Sequence, residues 1–578
     1  VSSRRAVFLI LILVVVVIAV SATALLLLAV AGTQPPPVPS NATLYFKVGP
    51  PLAEVEPLDL FLSFGDRPPT MREAVATIAK AKTDTRVKSL VIMPRAMGGL
   101  WGQVQELRAA LDDFRQSGKP LTAFMETGSA ADYVLASAAD RIVMMPAGQL
   151  DLTGLATYEI FFRGALDKLG VYPDLLHIGD YKTASNTFTE RGFTPAHREM
   201  SESLNADWFG QIVSAIAERR NKTPEEVRAI IDRGPFLAEE AKAAGLVDEL
   251  LYEDQLDDAG PIQGTRRLAD PQYRQTVGTH GRVGAPRIAL IYAVGAITSG
   301  QSQADPFGST SVGSDTFNEW LRKVRLDPDI RAVVVRVDSP GGSAIASEVM
   351  WRELMLTREA KPLIVSMGDV AASGGYYIAA PAHHIVAQPG TLTGSIGVVT
   401  GKFVLDGTMD KLGIGTAAVG DGRMSQIYSP FKPFSPEERA RIAEQMQATY
   451  ELFVSRVAEG RKSTTEKIDA VAQGRVWTGR QARDLGLVDE LGGLRTAIQA
   501  AKQRARLDMN QDVSLIVYPP KRSVFEALAH PFGTSSLGSG ADAWLLRPEA
   551  HALRSFTRLT QLFRRGEPLA IMPNVFWR

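Results

Sequence analysis

Gly245-Leu246-Val247-Asp248-Glu249-Leu250 recurs letter for letter as Gly486-Leu487-Val488-Asp489-Glu490-Leu491, 241 positions further on. Shorter matches keep nearly the same spacing: Asp167-Lys168-Leu169-Gly170 with Asp410-Lys411-Leu412-Gly413 (243), Gly179-Asp180 with Gly420-Asp421 (241), and Lys119-Pro120 with Lys361-Pro362 (242). A period this long marks a duplicated domain, because solenoid units repeat every ~20–50 residues. The stretches around these anchors carry one pattern twice. In the first half, short β-branched runs at 44–48, 89–93, 121–124 and 142–145 alternate with helical patterns at 71–82 and 102–116. In the second half the runs return at 287–297, 332–337, 363–367 and 384–387. The reading is α/β, in two tandem repeats over 40–256 and 285–507. Turn-rich, polar 257–284 is expected to be a linker and 508–578 a tail with no assigned role.

Composition narrows the function. The 578 residues exceed one core and predict two to four units at about 150 residues each. Lys+Arg and Asp+Glu both number 63, which argues against a nucleic-acid binder that works by neutralising phosphates. Without cysteine there is no disulfide framework, no Cys-ligated metal and no thiol nucleophile. Seven scattered histidines show no metal-ligand spacing, and no Walker loop or dinucleotide fingerprint occurs, so neither metal nor cofactor is expected.

Ahead of the repeats, Arg4 and Arg5 precede an apolar run over 6–31 broken only by Ser21 and Thr23. A spanning helix needs about 20 residues, whereas a secretory h-region has about 7–15. Ser21-Ala22-Thr23-Ala24 is a cleavage-like patch, but the length favours an uncleaved anchor over 1–33. With the arginines inside, the body lies outside the cytoplasm, and Pro-rich 34–39 is a stiff spacer.

The chemistry concentrates at Asp369-Val370-Ala371-Ala372-Ser373-Gly374-Gly375-Tyr376-Tyr377. Alanines before Ser373 and glycines after it let other backbone approach and leave the Gly374 N–H unshielded. Asp338-Ser339-Pro340-Gly341-Gly342-Ser343 offers a second glycine-bared N–H, which together with the first suits an oxyanion. Ala-Ser-Gly-Gly also suits a tightly packed helix start. Overlaying the repeats on Tyr133 and Tyr376 puts Ala130 opposite Ser373, so the first copy lacks the hydroxyl. Conversely, Gly179-Asp180-Tyr181-Lys182 lies over Gly420-Asp421-Gly422-Arg423, setting a lysine against an arginine. Arginine stays protonated, whereas a buried lysine can become a base. This complementary loss predicts one site built from both halves, although a lysine on such a turn is ordinarily solvated. His177 is the one histidine near that turn, but Ser373 lacks the Gly-x-Ser-x-Gly elbow usual for histidine-paired serines. His383 and His384 read as structural. In Thr393-Gly394-Ser395, opposite Thr153-Gly154-Leu155, the Ser395 hydroxyl can orient a neutral lysine amine or be a plain turn residue.

Taken together, the anchor, the duplication and the motifs Ser339-Pro340-Gly341-Gly342, Ala372-Ser373-Gly374-Gly375, Thr393-Gly394-Ser395-Ile396-Gly397 and Gly179-Asp180-Tyr181-Lys182 resemble the long-form signal peptide peptidase A family, also called protease IV. The resemblance covers roughly 40–505. It implies two Clp-protease/crotonase-like repeats, a Ser/Lys dyad of Ser373 as nucleophile and Lys182 as general base, and an oxyanion hole of the Gly374 and Gly342 N–H groups. It implies Ser395 as a lysine-orienting hydroxyl. It further implies a homotetramer on the outer face of the cytoplasmic membrane that degrades cleaved signal peptides. Two features depart from the pattern: the tail, and Ser185-Asn186-Thr187-Phe188 after the lysine. A serine among Ala and Gly predicts small, apolar substrate side chains, with extended peptides adding to strand edges near Gly341-Gly342. Two other classes stay open: a crotonase-like acyl-CoA enzyme, and a membrane scaffold without catalysis.

Overall fold

The protein is seen in a computed structural model that describes residues 37–49, 52–56, 68–98, 101–276, 284–304, 310–520, 568–572 and 576–577, with five positions between 13 and 21. The expected anchor otherwise lies outside the described residues, among which no helix is long and apolar enough to cross a membrane.

Two sheets with parallel cores carry the duplication, the second extended at one edge by Leu392–Gly394 and, antiparallel to it, Val476–Thr478. The first runs, in order, Glu249–Leu250, Arg141–Met144, Leu121–Met125, Val87–Pro94, Ala42–Val48 and Arg266–Ala269. The second repeats that order with Glu490–Leu491, His384–Ala387, Leu363–Ala372, Ile330–Ser339, Arg287–Val294 and Ser514–Tyr518. Parallel sheets are covered on both faces, which is why their central strands are continuous apolar runs such as Ala332-Val333-Val334-Val335. Flanking helices supply the cover. Pro195–Arg220 and Pro436–Arg461 are twins of 26 residues, each started by a hydroxyl cap and a proline and each ended by a left-handed residue, Asn221 or Lys462.

The matching sheet order moves both expected repeat boundaries. Arg266–Ala269, inside the expected linker, pairs with Ala42–Val48, and Ser514–Tyr518, inside the expected tail, pairs with Arg287–Val294. Each repeat therefore runs one edge strand further than 256 or 507. Periodicity misses these strands because an edge strand buries little: of Arg266-Arg267-Leu268-Ala269 only Leu268 is buried.

The repeated hexapeptide is explained by its bonds. Tyr133 Oη donates to Leu246 O and Tyr376 Oη to Leu487 O, both at 2.8 Å. Asp248 accepts from Arg220 (2.6 Å) and from Ile142 N (2.7 Å), and Asp489 accepts from Arg461 (2.5 Å) and from Ile385 N (2.7 Å). The motif thus fastens a helix to the sheet in each copy.

A third sheet joins the halves. Its order is Gln303–Ala304, Thr310–Gly313, Ala296–Thr298, Gly341–Ser343, Leu569–Ile571, Val398–Val404 and Tyr172–Ile178. Tyr172–Ile178 from the first repeat lies antiparallel to Val398–Val404 of the second over seven pairs, from Tyr172↔Val404 to Ile178↔Val398. Beneath the junction, Arg336 of the second repeat reaches Glu54 (2.6 and 3.0 Å) and Glu106 (2.8 Å) of the first.

Candidate active site

The antiparallel pairing of Tyr172–Ile178 and Val398–Val404 fixes what happens just past its end. Lys182 follows Ile178 by four residues and Ser395 precedes Val398 by three, so the two chains deliver these side chains to one place. The Lys182 turn is held by its own bond, Lys182 N to Gly179 O (3.0 Å), and by Tyr181 N donating to Gln473 O of the second repeat (2.9 Å). Gly474 makes the fit possible: a Cβ there would stand 2.5 Å from Lys182 N, Cα and Cβ.

Ser373 sits at the junction of strand Leu363–Ala372 and helix Gly374–Ala379 with φ 55° and ψ −114°. A non-glycine residue pays strain for positive φ, and such strain persists where neighbours over-determine it. Here Ser373 N donates to Gly394 O and Tyr377 N to Ser373 O, each at 2.8 Å. Ser395 is also left-handed (φ 51°), held by its N–H on Arg475 O (2.7 Å).

These constraints bring the three groups together. Lys182 Nζ lies 2.8 Å from Ser373 Oγ, 2.9 Å from Ser395 O and 3.0 Å from Ser395 Oγ. All three residues are 0 % exposed. Burial alone pulls the Lys182 amine well below the usual lysine range, and no neighbouring charge opposes it. A neutral amine has two N–H donors and one lone pair. The Ser395 carbonyl can only accept, so one N–H goes there, the other suits Ser395 Oγ, and the lone pair is left to accept from the Ser373 hydroxyl.

The remaining candidates fall into place around this centre. As the first residue of its helix, Gly374 has an N–H with no intrahelical acceptor. Gly341, at φ 97°, has no room for a side chain: a Cβ would lie 2.0 Å from Ala570 O and 2.6 Å from Gly374 N. Gly342 follows it in the strand Gly341–Ser343, which is flanked by Ala296–Thr298 on one edge and Leu569–Ile571 on the other. The histidines are engaged elsewhere. His177 Nδ1 contacts Gly179 O (3.0 Å), His383 Nδ1 accepts from Leu363 N (3.1 Å), and His384 meets Glu490 (2.9 Å). Arg423 is 80 % exposed and pairs with Glu437, away from the buried centre. Among the described residues no group of three His, Asp or Glu side chains is placed to hold a metal ion.

Gln473, Gly474 and Arg475 were not singled out from the sequence. Besides its carbonyl contact with Ser395, Arg475 lies over the rings of Tyr181 (4.6 Å) and Trp477 (4.5 Å) and pairs with Glu199 (2.7 Å). A signal existed: Arg233-Gly234-Pro235 lies 240 positions before Gln473-Gly474-Arg475, in step with the other repeats.

Comparison with known proteins gives this arrangement a family. The sequence matches Peptidase family S49 over residues 113–259 and 355–508, one segment in each repeat. It is 32 % identical to the chloroplastic serine protease SPPA of Arabidopsis thaliana over 79 % of this chain and 69 % of that one. It is 36 % identical to Protease 4 of Salmonella typhi, over 75 % of this chain and 72 % of that one. Among solved structures, a serine-to-alanine mutant of the 1510-N membrane-bound stomatin-specific protease aligns at 15 % identity and a TM-score of 0.27, covering 41 % of this chain and all of that one. With the match present in both repeats and the relatives aligned across three quarters of its length, the chain belongs to peptidase family S49 and is a serine protease.

Proposed function

We propose that the chain is a membrane-anchored endopeptidase whose catalytic pair is Ser373 and Lys182, one from each repeat of a Clp-protease/crotonase-like duplication. The observation that carries this reading is the 2.8 Å contact between Lys182 Nζ and Ser373 Oγ in a pocket with no carboxylate against the amine. Neutral Lys182 takes the Ser373 proton as Oγ adds to the peptide carbonyl. The N–H groups of Gly374 and Gly342 stabilise the oxyanion. Lys182 then returns the proton to the leaving amine, and a water deprotonated by the same amine releases the acyl group. Ser395 acts as a positioning residue that turns the lone pair towards Ser373.

The substrates this site suits are apolar peptides with small side chains at the cut, the chemistry of spent signal-peptide cores. The run at 6–31 supports an anchor with the body outside the cytoplasm, and the family resemblance supports a homotetramer there. The test is intact-mass detection of an adduct on Ser373 with an activated phosphonate. One adduct is expected on the unmodified chain and none on Lys182→Ala. An acyl-CoA enzyme or a silent scaffold would leave Ser373 unlabelled in both.

A further inference from the structure

We propose that Arg475 is a positioning residue for the reaction: with Tyr181, Glu199 and Trp477 it forms a strut that holds the Lys182 turn of the first repeat against the Ser395 turn of the second and keeps water from the amine. This role rests on the Ser/Lys reading above and acts through Lys182 and Ser395, not on the substrate.

The backbone around Arg475 touches all three members of the site. Its carbonyl accepts from Ser395 N at 2.7 Å and so fixes the left-handed turn that presents two Ser395 oxygens to Lys182 Nζ. One residue earlier, Gly474 fits against Lys182 with no room for a side chain, and Gln473 O accepts from Tyr181 N (2.9 Å). One residue later, Val476 opens the strand Val476–Thr478 and pairs with Gly394, whose carbonyl holds Ser373 N. A small shift of this segment therefore moves amine, orienting hydroxyl and nucleophile relative to one another.

The side chains tie that segment to the first repeat. The Arg475 guanidinium pairs with Glu199 (2.7 Å) and lies over the rings of Tyr181 (4.6 Å) and Trp477 (4.5 Å), while Tyr181 Oη donates to Glu199 (2.9 Å). Tyr181 and Glu199 come from the first repeat, Arg475 and Trp477 from the second, and Tyr181 is the chain neighbour of Lys182. Glu199 is 58 % exposed, and an ion pair at such a position contributes little by itself. A planar guanidinium laid on aromatic rings has a fixed geometry that a lone surface pair lacks.

The duplication separates this role from ordinary fastening. In register with the repeats, Tyr181, Glu199, Arg475 and Trp477 lie over Gly422, Ala440, Pro235 and Leu237, so the other copy keeps none of the four side chains. All four counterparts are exposed. The bonds that fasten helix to sheet are kept in both copies: Tyr133 to Leu246 with Arg220 to Asp248, and Tyr376 to Leu487 with Arg461 to Asp489. The strut thus goes with Lys182 and is absent beside its counterpart Arg423. What the lysine needs and the arginine does not is burial, since desolvation is what holds the amine neutral. Holding Gly474 onto Lys182 provides it.

The test measures kcat, KM and the acid limb of kcat/KM against pH on a Leu/Ala-rich peptide, with thermal midpoints, for the parent full chain, Arg475→Met, Glu199→Ala and Arg220→Met. Arg475→Met is expected to lower kcat by about ten-fold or more with KM near the parent's, the scale of a small misplacement of reacting groups. Its acid limb is expected at higher pH, because water admitted beside Lys182 returns the amine towards the ordinary lysine range and keeps it protonated further up the scale. Burial alone sets the Lys182 shift, so the limb reports hydration and not the lost cation. Glu199→Ala, at an exposed position, is expected to move the limb the same way by less, and it decides the matter if Arg475→Met does not fold. Arg220→Met removes a fastening kept in both copies and is expected to lower the thermal midpoint while leaving the limb in place. A limb that stays or moves to lower pH in the deciding variant, or that Arg220→Met moves as far, overturns the strut alone. Absence of both peptide turnover and a phosphonate adduct in the parent overturns the peptidase reading and the strut together.

Discussion

Lys182 bears most of the argument at the scale of single residues. Its amine is fully buried with oxygens on three sides and no anion, so the charged form is the costly one. The unfolded chain therefore holds the Lys182 proton more tightly than the folded chain between the folded pKa and the ordinary lysine value near 10.5. Stability from this group rises with pH across that window, and below it the full penalty remains. Lys182→Met should leave the thermal midpoint at neutral pH unchanged or raised while kcat/KM falls by about 10²- to 10⁴-fold or more, the range for loss of a general base. Lys182→Arg should be as inactive, because a guanidinium cannot take the serine proton. Most activity surviving in Lys182→Arg would remove the lysine from the mechanism. Ser395→Ala separates positioning from structure. The lost hydroxyl acceptor favours the ammonium more than the amine, so the acid limb of kcat/KM against pH should move to lower pH. Its plateau should drop by up to about ten-fold, the worth of one hydrogen bond near 1 kcal/mol. A hydroxyl that merely filled a turn would leave the limb where it was. In the sequence, Ser373 stood out through its alanine and glycine neighbours and Lys182 through its mismatch with Arg423. Gly474 was marked only by its repeat match to Gly234, and its role, to have no side chain beside Lys182, leaves no chemistry to read.

At the scale of elements, local strands and helices were legible because their periodicity is local. The expected strand at 384–387 is His384–Ala387, and the expected helix at 71–82 is Met71–Thr83, started by a capping box of Thr70 and Glu73. The third sheet was not legible, since the pairing of Tyr172–Ile178 with Val398–Val404 joins residues over 200 apart and leaves no periodic trace. The junction it spans rests on a buried cluster. Arg336 pairs with Glu54 and Glu106, while Asp338 accepts from Val370 N (3.0 Å) and Asp369 from Gln103 N (2.8 Å). Burial raises the carboxyl pKa of Asp369 well above its usual value, and Asp338 adds to the rise. A raised carboxyl pKa means that the folded state binds the extra proton, so stability from this group falls as pH rises from the ordinary carboxylate range through the folded value. Asp369→Asn keeps an acceptor for Gln103 N and removes the ionisation. Its thermal midpoint should match the parent in mild acid and exceed it increasingly as pH rises. A parallel offset at all pH values would show that Asp369 ionises without cost.

At the scale of the whole molecule, the duplication has turned two equivalent α/β units into complementary ones. The hexapeptide, its tyrosine and its arginine persist in both because each copy needs the same fastening of helix to sheet. The hydroxyl and the amine persist in one copy each. The third sheet shows why that division is sustainable: strands of both repeats run side by side within one chain, so Lys182 needs no second chain to reach Ser373. This differs from an assembly in which each subunit lends its lysine to a neighbour, and complementation tells the two apart. Ser373→Ala and Lys182→Ala chains, each inactive, can be co-expressed or unfolded together and refolded. With both groups drawn from one chain, every site in the mixture still lacks one of them, and turnover should stay at the level of the separate mutants. A site shared between neighbours would pair the intact serine of one chain with the intact lysine of the other. Random mixing would then restore about a quarter of the sites, and phosphonate labelling of Ser373 in the Lys182→Ala chain would reappear. Recovery of that size would mean that the contact between the repeats is exchanged between copies, and the buried Arg336 cluster would have to be exchanged with it.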